Sequence, residues 1–488
     1  MNSPTLPGAA RQLRLKDFDF GYASADAEAS DRPDLLLRGY FDHSGIIQEA
    51  LHGKKFLFLG YKGSGKSALG EHLVLGAKNK PELFIRMVNI ADISFRSFSQ
   101  IFQKDAEPEA RYPTSWSWLF LLQFLASFAR DKGSNVQAID DLWLAIEVLE
   151  EAGLLPDPEL AKNVRDTLEM NFKVKLAGIV ELGRKQSTRQ GSDLPFFVER
   201  LKLVIQKFES PNKHIIIVDG FDDLLRRRSL QYDALGALIF EANRLNSFFS
   251  RSSIPAKLIL LCRTDLFERL PGPNNNKIRQ DYAITLEWHH GANDARVSPL
   301  LRLINHRASL RTNMPVDIVS QFLPPMIQGL EARKQLLLCT RLVPRDMVML
   351  FKKLQEYSGD EPMAPGQVFD ALAAYSNGYF VQEIRDELDG QVDGDEIGRA
   401  FRLFSSVRKR VVGLAELQAR SRQLLYPSTF NIKQILLLLF ECSAVGNSRA
   451  TKPDWRNSVF KFNNPYSTFD EGQLIVFHQA LWEGLDLR

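Results

Sequence analysis

The residues whose types and spacing promise chemistry lie in Phe56-Leu-Phe-Leu-Gly60-Tyr61-Lys62-Gly63-Ser64-Gly65-Lys66-Ser67. Glycines let such a loop turn its backbone N–H groups inward, and a helix N-terminus at its end adds a converging dipole. A cradle of that kind binds phosphate. Lys66 is placed to reach the β- and γ-phosphates of a nucleoside triphosphate, and the Ser67 hydroxyl to sit on Mg²⁺. The pattern has meaning only between a strand and a helix. Both are present, because an apolar Phe/Leu run precedes Gly60 and the helix-favouring Ala68-Leu-Gly-Glu-His-Leu-Val-Leu75 follows Ser67. The chain is therefore expected to bind ATP and Mg²⁺ through Gly60 to Ala68. The plainer alternative is a glycine-rich turn that happens to carry a lysine.

A second stretch supplies an acid. His214-Ile-Ile-Ile-Val218 has four β-branched residues in succession, as a strand buried on both faces of a parallel sheet does, and it ends in Asp219-Gly220-Phe221-Asp222-Asp223. An acid at that end stands at the crevice where open α/β sheets bind ligands. Asp219 would hold Mg²⁺, and Asp222 or Asp223 would orient the attacking water, with Asp222 preferred. Against this, either carboxylate could simply cap the next helix. Lys257 to Cys262 reads as a third such strand, ending in Arg263-Thr264-Asp265. In a sheet ordered 5-1-4-3-2 it lies between the first two, so Arg263 or Thr264 would face the γ-phosphate.

Two further arginines stand where a phosphate site could use them. Arg279 precedes a last strand, Tyr282–Trp288, and could enter a neighbouring subunit's site or merely pair with Asp281 or Asp265. Arg345 follows Pro344 at a helix start and could point across a cleft to the phosphates, or serve as an ordinary charge near a cap.

The elements that must position these residues follow from pattern. The chain has 488 residues, enough for two to four domains, and its 44% hydrophobic and 25% charged fractions are those of a globular protein. A net charge of +3 from 62 basic and 59 acidic residues excludes a general polycation. Cys262, Cys339 and Cys442 are far apart in apolar surroundings, which fits buried thiols of a reducing cytoplasm and no zinc site. The N-terminus lacks the apolar core of a signal peptide, and Ile435–Phe440 is far too short to span a membrane.

Residues 1–17 read as disordered, 18–295 as an α/β core, 296–395 as a helical lid and 396–488 as a separate module. The lead-in Phe18–Phe41 is expected either to cover the adenine side of the loop or to form a surface helix. The core is expected to carry a helical insertion at about 100–212. Its Ser115–Phe128 segment is apolar nearly all round and so should be buried between layers. Phe172 to Ile179 alternates like an exposed strand, Arg184–Asp193 reads as a loop and Pro195–Glu209 as a helix. In the last module, helices at Glu396–Leu414 and Ile432–Phe440 precede a hairpin of Val459–Phe462 and Leu474–Phe477, an order that is winged-helix-like. Arg399, Arg402, Arg408, Lys409, Arg410, Arg420 and Arg422 cluster there, as a phosphate-tracking patch, a solvated face or a lid-docking surface would.

Taken together, the loop, Asp219-Gly-Phe-Asp222-Asp223, Arg263-Thr264, Arg279 and Pro344-Arg345-Asp346 resemble the AAA+/STAND group of P-loop ATPases. The acidic stretch is similar to that of NACHT-type STAND proteins, and the lid with its winged-helix-like end to the initiator branch. Gly60-Tyr-Lys-Gly-Ser-Gly-Lys-Ser-Ala68 and the C-terminal Phe460-Lys-Phe462 and Phe477-His478 most resemble a bacterial family of stand-alone P-loop ATPases. The resemblance implies sensor 1 at Arg263 or Thr264, a trans-acting arginine at Arg279 and sensor 2 at Arg345. It also implies a cytoplasmic homo-oligomer acting on a separate effector protein, plausibly in phage defence. The chain departs from the AAA+ pattern in one place, where Gly220 replaces the glutamate expected after Asp219.

Three functions compete. The first is an ATP-driven switch, in which hydrolysis resets a nucleotide-dependent state. The second is a DNA-binding initiator or loader that uses the C-terminal module. The third is a phosphotransferase, for which the sequence offers no separate acceptor pocket.

Overall fold

Strands rich in Leu, Ile and Val that are apolar on both faces have to be covered twice, and the chain covers them with helices on either side. The computed structural model describes residues 13–91, 93, 95–98, 108–155, 159–169, 194–221, 229–272, 274–289, 294–449 and 458–488. The chain divides into two compact units, one of residues Ala25–Glu287 and one formed by residues up to Ser24 together with Trp288–Arg488.

The first unit is built on a five-stranded parallel sheet: β1 (Leu57–Gly60), β2 (Leu83–Asn89), β3 (Lys213–Asp219), β4 (Ala256–Arg263) and β5 (Ala283–Thr285). Its spatial order is β2-β3-β4-β1-β5, which is the expected 5-1-4-3-2. The three inner strands are almost wholly buried, whereas β2 and β5 are half-exposed edges. β5 is shorter than the expected Tyr282–Trp288, because Tyr282 ends the preceding helix Asn275–Tyr282.

Alternation along each strand sends side chains to two cores. Four helices lead the unit: α1 (Ala25–Asp31), α2 (Pro33–Gly39), α3 (Ile46–His52) and α4 (Lys66–Ala77). Phe58, Ile215, Ile217, Ile259 and Leu261 pack on α3 and α4 through Ile46, Ala50, Leu69 and Leu73. Leu57, Leu59, Ile216, Val218, Leu258 and Leu260 face the other way, into a core with the helices Pro108–Ala129 and Ser229–Arg251. Each such side chain contributes about 1.5–3 kcal/mol on burial. Within Pro108–Ala129, Trp116 and Trp118 are fully buried; their indole N–H groups donate to Ala234 O and Thr167 Oγ1. They are core residues. The lead-in also packs as helix, with Tyr40 stacked on His72 of α4. The expected helix Pro195–Glu209 is Leu194–Ile205. The strand expected at Phe172–Ile179 and the loop expected at Arg184–Asp193 lie outside the described residues.

The second unit starts with a segment expected to be unstructured. Leu15–Asp17 is a turn of 3-10 helix with Leu15 buried, and Arg14 pairs with both Asp17 and Asp360. Residues 15–23 are then held from one side: Gln355 donates to Leu15 O and Phe18 O, Arg307 to Phe20 O and Arg345 to Ala23 O.

The last hundred residues run helix, strand, helix, helix, strand, strand: Gly394–Val407, Val411–Val412, Leu414–Gln423, Ile432–Glu441, Val445–Ser448 and Leu474–Phe477. The strands form an antiparallel sheet with Leu474–Phe477 in the middle. Two expectations are corrected here. The helix read as Glu396–Leu414 ends at Val407, and the partner of Leu474–Phe477 is Val445–Ser448, not Val459–Phe462. Of that segment, Val459 makes a single bridge to Asn447. Gly446 is a point of close approach, since a Cβ there would lie 2.8 Å from Val459 O. Among the described residues no helix is long and apolar enough to cross a membrane.

At the amino end of β3 a buried polar cluster ties strand to helix. His214 Nε2 lies 3.1 Å from Asp131 Oδ2 and its Nδ1 lies 2.7 Å from Ser127 Oγ, with Phe84, Phe128 and Phe208 around the ring. Burial drives the ring's pKa down to about 4, against the pull of Asp131. Burial also works against ionised Asp131, but hydrogen bonds from Ser210, Asn212 and Gly133 outweigh it and hold the carboxyl below its usual range. Above about pH 6.5 the ring is neutral whether folded or unfolded. As pH falls from there towards 4, the unfolded chain takes a proton that the folded chain refuses, so stability is lost. The loss from His214 alone is expected to be about 2 kcal/mol between pH 7 and pH 5. Urea unfolding at the two values measures it, and an NMR titration of the His214 ring with a midpoint near 6.5 in the folded protein contradicts it.

Candidate functional site

The loop between β1 and α4 is set by its own backbone. Gly65 caps α4 with φ of +95°, a left-handed conformation that costs a side-chain-bearing residue dearly. Ser64 N donates to Tyr61 O at 3.1 Å and closes the turn through Lys62 and Gly63. The first helical hydrogen bond runs from Leu69 N to Gly65 O, so the N–H groups of Lys66, Ser67 and Ala68 have no acceptor within the helix. Lys66 is buried and folds back over the loop, donating to Gly60 O at 3.1 Å and Tyr61 O at 3.2 Å. A cation and three helix-end N–H groups thus share one turn of chain.

The sheet brings acids to the same edge. β4 pairs with β1 in the register Gly60↔Arg263 and with β3 in the register Val218↔Leu260. Asp219, last in β3, is therefore separated from β1 by one intervening strand and stands about level with Phe58, two residues before Gly60. Its Oδ1 accepts from Gly220 N at 2.8 Å. Asn89 of β2 is in register beside it, with Oδ1 bound to Ala91 N. Gly220 has φ of +90°, and a Cβ there would lie 1.7 Å from Asn89 Oδ1. A residue with a side chain at this position would have to adopt that left-handed backbone and displace the Asn89 carboxamide. Asp222 and Asp223 lie outside the described residues.

At the end of β4 the two sensor candidates separate. Arg263 is bound to Asp265 through two hydrogen bonds of 2.9 and 2.8 Å, both side chains nearly buried. Thr264, 2% exposed, has a hydroxyl with no hydrogen-bond partner. Burial raises the Asp265 pKa, but Arg263, Arg269 and Lys66 together outweigh it and keep the carboxyl below its usual range. Asp265 thus feels the loop lysine directly, a role its place in the sequence did not announce. Glu71, one turn along α4 from Ser67, goes the other way: burial, then the charges of Asp26 and Asp219, raise its pKa.

Among the described residues no three of His, Cys, Asp and Glu stand close enough to hold a metal ion by themselves. Ser67 and Asp219 are the residues of this edge that could give oxygens to a Mg²⁺ held otherwise by phosphate and water. The orphaned Thr264 hydroxyl also fits an oxygen-rich ligand at this edge.

The two outlying arginines have local partners. Arg279, near the end of the helix before β5, lies 3.4 Å from Glu268 rather than pairing with Asp281 or Asp265. Arg345, in the first turn of the helix Pro344–Tyr357, donates to Ala23 O and lies 3.3 Å from Glu383. The buried arginine nearby is Arg341, which makes two hydrogen bonds of 2.9 Å to Asp346, itself held by Tyr379 Oη. The Pro-Arg-Asp start of that helix was the available signal, and it marked the acid as much as Arg345. In the C-terminal module Arg408 pairs with Asp486, Lys409 with Glu416, and Arg410 stacks on Trp482 at 4.0 Å.

Comparison of the chain with protein-family models found no match, and comparison with curated proteins found none either.

Gly220→Ala is expected to cost about 1–3 kcal/mol, from both the left-handed backbone and the collision with Asn89. Adding Asn89→Ala removes the collision and should restore part of it. Thermal unfolding of the single and double variants measures the coupling, and strictly additive losses contradict the account.

Proposed function

We propose that the chain is an ATP-binding and ATP-hydrolysing molecular switch of the AAA+/STAND type. The observation that carries this reading is the convergence of Lys66, the free N–H groups of α4 and Asp219 at one carboxyl edge of one sheet. Lys66 exchanges its two loop carbonyls for β- and γ-phosphate oxygens, and the N–H groups of the loop and of α4 donate to the same phosphates. The Thr264 hydroxyl donates to the γ-phosphate from the end of β4. Ser67 and Asp219 hold the Mg²⁺, which neutralises phosphate charge as it develops. Asp222 orients the attacking water, since the residue directly after Asp219 is a glycine and carries no carboxylate.

Residues 296–395 act as the lid and 396–488 as a winged-helix-like interaction module. The third helix of that module, Ile432–Glu441, has Leu437 45% exposed and pairs Lys433 with Glu471. An exposed apolar residue on that helix suits an effector protein as its partner.

Two experiments test the reading. Lys66→Ala should abolish binding of a fluorescent ATP analogue, whereas Asp222→Asn should leave binding intact and slow turnover by on the order of a hundredfold. If Asp223→Asn is the damaging change, the water-orienting role moves to that residue; if Lys66→Ala binds normally, the site is lost. The trans arginine is tested by concentration. Arg279→Ala should lower specific ATPase activity only where the wild type oligomerises, and equal activity of the two proteins at every concentration removes the intersubunit role.

A further inference from the structure

The unit that contains Trp288–Arg488 holds a cavity of about 710 Å³, within the range of roughly 300–1,000 Å³ typical of small-ligand sites. No residue of the Gly60–Ser67 loop lines it. One wall is aromatic, formed by Trp288, Phe460, Phe462, Phe477 and Trp482. Phe460 and Phe462 stack with centroids 5.5 Å apart, and the His478 ring stands edge-on to both. Leu337, Leu338 and Leu342, from the helix Ala332–Leu338 and the turn after it, also line the cavity. Such residues accept a flat, apolar ring.

Polar and charged residues make up about half of the lining, and several of them are already paired. Asp294 pairs with Arg296 at 3.0 Å, and Glu331 with Arg333 at 3.6 Å, so these charges cancel. His478 has both ring nitrogens engaged, by Thr340 O and Ala480 N, and burial drives its pKa down to about 4, so it is neutral at pH 7. Lys334 lines the cavity from an exposed position, and no ion pair or hydrogen bond engages its ammonium.

We propose that this cavity is a second ligand site, for a small planar aromatic anion whose ring packs on these aromatic and leucine residues. Its anionic group meets Lys334. The site goes beyond the ATPase reading and does not rest on it.

The test uses the full chain and 1-anilinonaphthalene-8-sulfonate, an aromatic anion that fluoresces in apolar surroundings. Saturable binding of one probe per chain is expected, with energy transfer from tryptophan. Lys66→Ala should bind the probe as the wild type does, which separates this cavity from the phosphate loop. Leu338→Trp fills the cavity and should weaken binding at least tenfold. Lys334→Glu reverses the charge of an exposed residue without a partner, so it should fold as the wild type does and also bind at least tenfold more weakly. The proposal is overturned by absence of saturable binding, by loss of binding in Lys66→Ala, or by wild-type affinity in either of the other two variants.

Discussion

Everything at the candidate site depends on β4 running hydrogen-bonded between β1 and β3. Neighbouring strands lie about 4.8 Å apart, so the carboxyl ends of β1 and β3 are held roughly 10 Å from each other. The register cannot slip. A shift of one residue would turn Ile216, Val218, Leu258 and Leu260 from one helical layer to the other and drive mismatched side chains into both cores. The loop lysine and the strand-end acid are therefore positioned by apolar packing far from either of them. A ligand that meets groups already in place loses less free energy to ordering them.

Charge at this edge is arranged with the same economy. Arg263 and Asp265 neutralise one another in a nearly buried pair, which takes a cation out of the crevice and leaves Lys66 as the lysine of the loop closest to it. Such a pair adds little net stability, because desolvation offsets attraction, yet removing either partner strands the other and costs about 3–5 kcal/mol. Arg341 and Asp346 repeat the device in the other unit, with Tyr379 supplying the extra hydrogen bond. In both cases the partners are close in sequence, at a junction where a helix begins.

That closeness explains which features could be read beforehand. The glycine-rich loop, the run of β-branched residues ending in Asp219 and the order of the strands are local patterns, or follow directly from them, and all are present in the fold. What escaped is what the fold brings together from a distance. Asn89 meets Gly220 only because β2 pairs with β3, and Asp265 meets the field of Lys66 only because β4 pairs with β1. The C-terminal module misled for a related reason. Val459–Phe462 has the composition of a strand, but its rings are spent on His478 and on the cavity wall, while the small residues of Val445–Ser448 allow the close approach that pairing requires.

The collision at Gly220 also bears on the ATPase proposed above. In a strand that ends acid-then-acid, the residue that holds the metal and the residue that orients water are adjacent and move as one. Here Gly220 and Phe221 follow Asp219 directly, and the Phe221 ring, 1% exposed, anchors the chain where it leaves the sheet. On the proposed reading the water-orienting carboxylate, Asp222, follows that anchor in sequence. Binding groups fixed by the sheet and a hydrolytic group supplied from outside it would then be tuned independently. A switch needs that separation of grip from turnover, whereas a motor cycling continuously gains nothing from it.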